Sequence, residues 1–240
     1  MRRYEPFMFK HFKVHQQESA MKVGTDAVLL GAYVTLPSDE PVRVLDVGSG
    51  TGIVGMMIAQ RAPFAQVDCV EISHEAVEES GRSVEESPFA DRIRVFCSDF
   101  SDFSGSEKYH LIVSNPPFFT ETHKAKGRLR NQARHMEGLT PEVFFDGVRR
   151  LLISSGRVTI ITAVSSFERF CKAASAEGYF LAEVLLVRPT KNADVKRIVA
   201  TWSRIETDRI KFDDLFIEVS RHRYSEAFKA MTGDFYLDKK

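Results

Sequence analysis

The sequence predicts an α/β fold: an open, mostly parallel sheet of seven strands, one of them antiparallel, with helices on both faces. Three observations carry this expectation. Residues 42–55, VRVLDVGSGTGIVG, pass from a short apolar, β-branched run through an acidic residue into a glycine-rich turn, the pattern of a buried parallel strand feeding a helix. From there to residue 177, strand-length apolar runs alternate with helix-length segments, as they do when parallel strands are joined by helical crossovers. Two further strand patterns, 180–187 and 195–205, follow each other without a helix between them, which suits an antiparallel pair.

At 240 residues the chain fits a single domain with a substantial core, residues 1–35 forming a small N-terminal extension near the glycine turn. Hydrophobic content of 43% and charged content of 28% are ordinary for a globular protein. Lys plus Arg equals Asp plus Glu at 33 each, so any basic contact surface must be local. The three cysteines, Cys69, Cys97 and Cys171, stand singly, against a zinc or disulfide framework and in favour of reduced thiols. The N-terminus MRRYEP lacks the uninterrupted apolar stretch of a secretory signal, and no window of about 18 apolar residues occurs. A cytoplasmic monomer without metal or membrane partner is expected.

Residues 7–14 alternate aromatic or apolar side chains with Lys10, His11 and Lys13, which predicts a half-buried strand. The alternative is a basic and aromatic edge touching RNA. His11 and His15 lie four apart, but nothing near them completes a metal set. In 20–34, AMKVGTDAVLLGAYV, Thr25 or Asp26 is expected to cap a helix starting at Ala27. Lys22, Gly24, Thr25 and Asp26 precede that helix and are placed on a second wall of the ligand site. Residues 35–41, TLPSDEP, form a linker.

The turn after the first core strand carries Gly48, Gly50, Gly52 and Gly55, which open backbone angles closed to other residues and admit a ligand close to the main chain. It fits two templates. Gly50, Gly52 and Gly55 satisfy G-x-G-x-x-G with Glu71 about 20 residues on, the dinucleotide fingerprint. Asp46, two residues before Gly48, completes a D-x-G-x-G-x-G run that resembles motif I of the class I S-adenosylmethionine methyltransferases. A carboxylate there suits a cationic ligand and repels a pyrophosphate. The resemblance therefore implies S-adenosylmethionine, with NAD the outsider.

A helix over 53–61 and a strand over 66–72 follow. Glu71, with Ile72 beside it, ends that strand, where a carboxylate can accept both hydroxyls of a ribose. The helix over 73–86 carries Glu75, Glu78, Glu79, Glu85 and Glu86 and reads as a solvated face. After the strand 93–97 comes Ser98-Asp99-Phe100. In the resembling family an acid at this place approaches the adenine amino group of the cofactor, which assigns that role to Asp99 and ring packing to Phe100.

The strand 109–114 runs into Asn115-Pro116-Pro117-Phe118. Two prolines cannot continue a central strand, so they rigidly shape what leaves the sheet. Asn115 presents an acceptor oxygen at the carboxyl end of the sheet, where open α/β folds bind ligands. These residues resemble motif IV, [DNS]-P-P-[YFW], of methyltransferases acting on amino or amide nitrogen. The chemistry explains the types: accepting both N–H hydrogens, at the Asn115 side chain and the Pro116 carbonyl, favours a pyramidal nitrogen whose lone pair is free to attack. Phe118 would stack on a flipped base. Methylation at pyrimidine carbon needs a cysteine nucleophile, and none is near. Residues 119–135 then place Lys124, Lys126, Arg128, Arg130 and Arg134 against Glu121, a basic loop suited to an RNA backbone.

The remaining pattern is a helix over 140–152 opened by Thr140 or Pro141, a strand over 156–163, a helix over 165–177, the antiparallel pair, a short strand over 215–219 and a helix with tail over 224–237. There are no repeats or low-complexity segments.

Taken together, FKHFKVHQQESAMKVGTDAVLLGAYV, SNPPFF and YSEAFKAMTGDFYLDK resemble the bacterial tRNA(Val) adenine-37 N6-methyltransferase family over almost the whole chain. His11 departs from the family's usual glutamine, Phe118 from its common tyrosine and Ala27 from its frequent glycine. The resemblance implies a Rossmann-like class I methyltransferase fold, S-adenosylmethionine as cofactor, and methylation of N6 of an adenine next to the anticodon of tRNA(Val). Three readings stay open beside it: another nitrogen acceptor (an rRNA base or a protein glutamine amide), a non-catalytic RNA-binding protein of the same fold, and NAD-dependent redox chemistry. The glutamine reading expects a helical N-terminal domain, for which the segment before Val42 leaves no room.

Overall fold

The computed structural model describes residues 5–19, 21–36, 40–116 and 139–237. Two short strands, β1 (Phe7–Met8) and β2 (Lys13–Val14), pair antiparallel and precede helix α1 (Thr25–Tyr33). The core then alternates β3 (Val42–Val47), α2 (Ile53–Arg61), β4 (Ala65–Glu71), α3 (His74–Glu85), β5 (Ile93–Cys97) and β6 (Tyr109–Ser114). After the undescribed stretch come α4 (Pro141–Leu151), β7 (Leu152–Ala163), α5 (Val164–Ala176), β8 (Phe180–Thr190), β9 (Arg197–Ser203), β10 (Lys211–Ser220), β11 (Arg223–Tyr224) and α6 (Glu226–Thr232).

The main sheet has the order β11-β10-β8-β9-β7-β6-β3-β4-β5. β5, β4, β3, β6 and β7 are parallel, and β9 inserts antiparallel between β7 and β8. The α/β class with one antiparallel insertion is as expected, but the described sheet has nine strands rather than seven. The difference is β10, which pairs parallel with β8 and carries β11 outside it. Its sequence, KFDDLFIEVS, is polar enough at its start that only 215–219 reads as strand.

Because β3 is covered on both faces, its apolar residues do not alternate with polar ones. Val42 and Val44 join the cluster with Leu29, Met56 and Phe228, while Leu45 and Val47 join the one with Phe144, Phe145 and Trp202. Helices α3, α4 and α6 are started by hydroxyl caps: Ser73 accepts from Ala76 N at 3.3 Å, Thr140 from Val143 N at 3.3 Å and Ser225 from Phe228 N at 3.1 Å. Helices α2 and α5 follow Gly52 and Ala163 without a side-chain cap. So does α1, whose cap is Gly24, and Thr25 and Asp26 lie inside its first turn instead of capping it. Asp26 is taken by Arg197 at 2.8 Å.

The single strand expected over 7–14 is a hairpin, closed where Phe9 N donates to Phe12 O at 2.9 Å. The residue spacing mimics a strand because the turn interrupts an aromatic cluster. Phe9 stacks on Phe12 (4.7 Å) and on Tyr236 (5.7 Å), and Phe12 meets Phe89 edge-on (6.2 Å). Phe9 and Phe12 are buried, so they form core and not a stacking edge for RNA.

Register fixes what shares the functional edge. Val47 pairs with Ser114, so Gly48 and Asn115, the next residues, leave the sheet side by side. Arg197, opposite Ala163 at the end of β7, holds the N-terminal turn of α1 at this same carboxyl edge.

Candidate active site

The glycine turn has the geometry its composition asks for. Gly48, Gly50 and Gly52 have φ of +65°, +53° and +74°, a region where a side chain is strained. The turn is anchored by Gly48 N and Ser49 N donating to Val70 O at 2.9 and 3.1 Å. A Cβ at Gly48 or Gly50 would meet nothing within 4 Å, so free space lies over the turn. Gly55 has a different reason. A Cβ there would stand 2.7 Å from Cys69 Sγ and 3.3 Å from Val67, so only glycine lets α2 lie this close to β4.

Asp46 does not face the ligand space. Its carboxyl is 1% exposed and lies beneath the turn, where Oδ2 accepts from Gly55 N at 3.1 Å. Burial pushes its pKa up to about 7, the Gly55 N–H opposes that, and the neighbouring Glu71 adds to it. Covered by the turn and bonded to Gly55 N, this carboxyl supports the loop.

Glu71 is the carboxylate that lies against the glycine turn. Oε2 accepts from Gly50 N at 2.9 Å, and Oε1 accepts from Ile72 N and Ser73 N, both at 2.9 Å. Three of its roughly four acceptor positions are filled by backbone. Gripping both hydroxyls of a ribose requires one backbone donor to be released. Ile72, past the end of β4, is 39% exposed and offers an apolar wall. Asp99 is exposed, and its Oδ1 accepts from the N–H and hydroxyl of Ser101, both at 2.8 Å. Phe100 contradicts its assignment: it is 5% exposed, packs 5.8 Å from Phe144, and would strike any Cβ at Gly147. Its ring is spent on holding α4.

The N-terminal segment runs beside the turn. His15 N donates to Ser83 Oγ at 2.9 Å, and the Glu79 carboxylate accepts from Glu18 N, Ser19 N and Ser19 Oγ at 2.7–2.8 Å. Ser80, the next residue of α3, would be 3.2 Å from a Cβ at Gly52. From α3 the chain crosses to Arg197 at the start of β9. Lys22 donates to the carbonyls of Gln16, Gln17 and Ser19, so its ammonium ties the segment to itself. Gly24 and Thr25 are exposed at the start of α1.

Asn115 follows β6 with its Oδ1 buried and without a hydrogen-bond partner among the described residues, and Pro116 is buried behind it. Ser114 Oγ donates to Val47 O at 2.8 Å, tying the two strand ends together. A buried acceptor left open costs free energy unless a ligand or substrate supplies the donor. Pro117, Phe118 and the loop with Lys124, Lys126, Arg128, Arg130 and Arg134 lie outside the described residues.

The methyltransferase small domain family matches residues 19–162, which contain the turn, Glu71 and Asn115. A tRNA1(Val) (adenine(37)-N6)-methyltransferase of Bacteroides fragilis is 41% identical over 234 residues, 96% of this chain and 97% of that protein. The protein of the same name from Christiangramia forsetii is 36% identical over 97% of this chain and 98% of its own. The chain belongs to the tRNA1(Val) (adenine(37)-N6)-methyltransferase family. A predicted O-methyltransferase of Agrobacterium tumefaciens shares the Rossmann-like methyltransferase fold, with a TM-score of 0.68 over 88% of this chain and 96% of that one at 22% identity.

Membership in this methyltransferase family decides between the cofactor templates, which the buried Asp46 does not. The free space over the glycines and the preset Glu71 fit S-adenosylmethionine. Sequence reading missed Glu79, which it gave to a solvated face. The signal was periodicity: Ala76, Ser80, Ser83 and Val84 form the small, buried side of α3, and Glu79 sits on it. Among the described residues no three His, Cys, Asp or Glu side chains group to hold a metal.

Proposed function

We propose that this chain transfers the methyl group of S-adenosylmethionine to N6 of the adenine at position 37, next to the anticodon, of tRNA(Val). The observation that carries this reading is the buried Oδ1 of Asn115 beside the glycine turn, without a hydrogen-bond partner among the described residues. An exocyclic amino group supplies the N–H donor that such an acceptor lacks.

The glycine turn, Glu71, Ile72 and Asp99 would hold the cofactor, and residues 1–35 belong to the same domain as an extension closing one side. When bound, S-adenosylmethionine supplies an electrophilic methyl group. Asn115 Oδ1 and the Pro116 carbonyl accept the two amino hydrogens, withdraw the nitrogen lone pair from the ring and orient it. The proton becomes acidic only as the methyl arrives and leaves to water, so no strong base is needed. Pro117 shapes the loop, Phe118 stacks on the base, and Lys124, Lys126, Arg128, Arg130 and Arg134 meet the RNA backbone, roles assigned on the motif and the loop's charge. A tRNA substrate supports a cytoplasmic location for the reaction. Among the described residues no helix is long and apolar enough to cross a membrane.

The test is mass spectrometry of nucleosides and RNase fragments from tRNA incubated with the protein and S-adenosylmethionine. N6-methyladenosine at position 37 of tRNA(Val) is expected. Methylation of a ribosomal RNA base or a glutamine amide instead, or none, overturns the reading.

A further inference from the structure

We propose that the phosphate backbone of the RNA leaves Asn115 along the carboxyl edge of the sheet, over the β8–β9 loop and onto the β10–β11 turn. This rests on the RNA-methylating reading and names the surface that reading lacks.

Strand direction places the pieces on one edge. β7 is parallel to β6, β9 is antiparallel to β7, β8 is antiparallel to β9, and β10 is parallel to β8. The loop after β8 and the turn after β10 therefore sit on the same edge as Asn115. Four strand spacings of about 4.8 Å separate β6 from β10, roughly 19 Å, the span of about five to six nucleotides at a stacked rise of about 3.4 Å each.

That edge is cationic beyond what its ion pairs consume. Arg188 is paired with Asp214 at 3.2 Å and Arg197 with Asp26 at 2.8 Å. Lys191 and Lys196 in the loop, and Arg221 and Arg223 at the turn, are exposed and have no carboxylate partner among the described residues. The exposed acids on these elements are Asp194 and Asp214, the latter already paired with Arg188, and Glu218 is half-buried.

The turn itself is built against its own propensity. Ser220 pairs with Arg223, leaving a two-residue loop of Arg221 and His222. His222 has φ of +64°, the one non-glycine with positive φ among the described residues. Glycine or asparagine occupies such a position without strain. Arg221, His222 and Arg223 are all exposed at this tip, which leaves their side chains free to meet a phosphate backbone.

The experiment compares wild type with an Arg221→Ala/Arg223→Ala double variant, the corresponding double Lys variant, and His222→Gly. Methylation kinetics on tRNA(Val), cofactor affinity, and binding of an anticodon stem-loop RNA across salt concentrations are measured. The Ala pair should raise KM for tRNA about tenfold or more, leave kcat and cofactor affinity within twofold, and lower the slope of log Kd against log salt by about 2. The Lys pair should restore most of the binding, and His222→Gly should raise Tm while weakening it. A tRNA-methylating wild type whose KM and salt slope are untouched by the Ala pair overturns the proposal and leaves the function standing. If the wild type does not methylate tRNA, the functional reading fails separately. The stem-loop salt slope then decides the surface alone: a drop in the Ala pair supports it, and no drop overturns it.

Discussion

Glu79 and Ser19 are 60 residues apart in sequence and joined by two hydrogen bonds, Ser19 N and Oγ each donating to Glu79 Oε2 at 2.8 and 2.7 Å. Burial alone pushes the Glu79 carboxyl up, but the bonds from Ser19 and Glu18 outweigh it and hold the group below the usual carboxylate range. Through this pair the N-terminal segment is fastened to the helix that borders the glycine turn.

Glu79→Gln replaces one acceptor oxygen with an NH2 that faces backbone N–H donors. The expected loss is about 2 kcal/mol of stability, with weaker cofactor binding and a kcat at saturating cofactor close to wild type. Thermal unfolding and cofactor titration check this. Because the folded-state pKa is depressed, the stabilisation is present above the unfolded carboxylate pKa and fades as pH falls through the folded one.

Asp46 titrates with the opposite sign. Its folded pKa of about 7 lies above the ordinary 3.8, so its protonated form favours folding at low pH and that contribution is lost as pH rises toward 7. Asp46→Asn lacks this titration. Relative to wild type without cofactor it should gain about 2–3 kcal/mol between pH 5 and pH 8. Parallel stability curves for the two proteins would contradict the burial of this carboxyl.

Gly55→Ala should destabilise by about 1–3 kcal/mol, since its Cβ would meet Cys69 Sγ at 2.7 Å. In a Cys69→Ala background the same substitution should cost less. Additive effects in a double-mutant cycle would remove the steric explanation.

Ile72 and Phe100, read alike from sequence, should separate. Ile72→Ala should weaken cofactor binding with little change in Tm, because its side chain is exposed at the end of β4. Phe100→Ala should cost about 3–5 kcal/mol, because its ring fills the space against Phe144 and Gly147. Equal cofactor effects at equal stability would restore Phe100 to the site.

The contrast shows where sequence is legible. The parallel strands and α2 follow from continuous apolar runs and punctuating glycines, and β5, β6 and α2 match their expected limits. The positions of Glu71 and Asn115 were readable because one ends β4 and the other follows β6, at the carboxyl edge of the sheet. Direction was not readable. Asp46 lies next to the glycines in sequence but points under them, and Phe100 follows Asp99 but points into the core. Glu79 needed its partner, and that partner comes from a segment whose path no local pattern specifies. The hairpin at residues 7–14 was hidden for a similar reason: Phe9 and Phe12 are paired by tertiary packing with Tyr236 and Phe89.

The most direct measurement is the single-turnover rate of tRNA methylation by Asn115→Ala, with cofactor affinity measured in parallel. The Asn115 acceptor, unpaired among the described residues, predicts a rate lower by on the order of 10²-fold or more with cofactor affinity nearly unchanged. A rate equal to wild type at saturating tRNA and cofactor would contradict it.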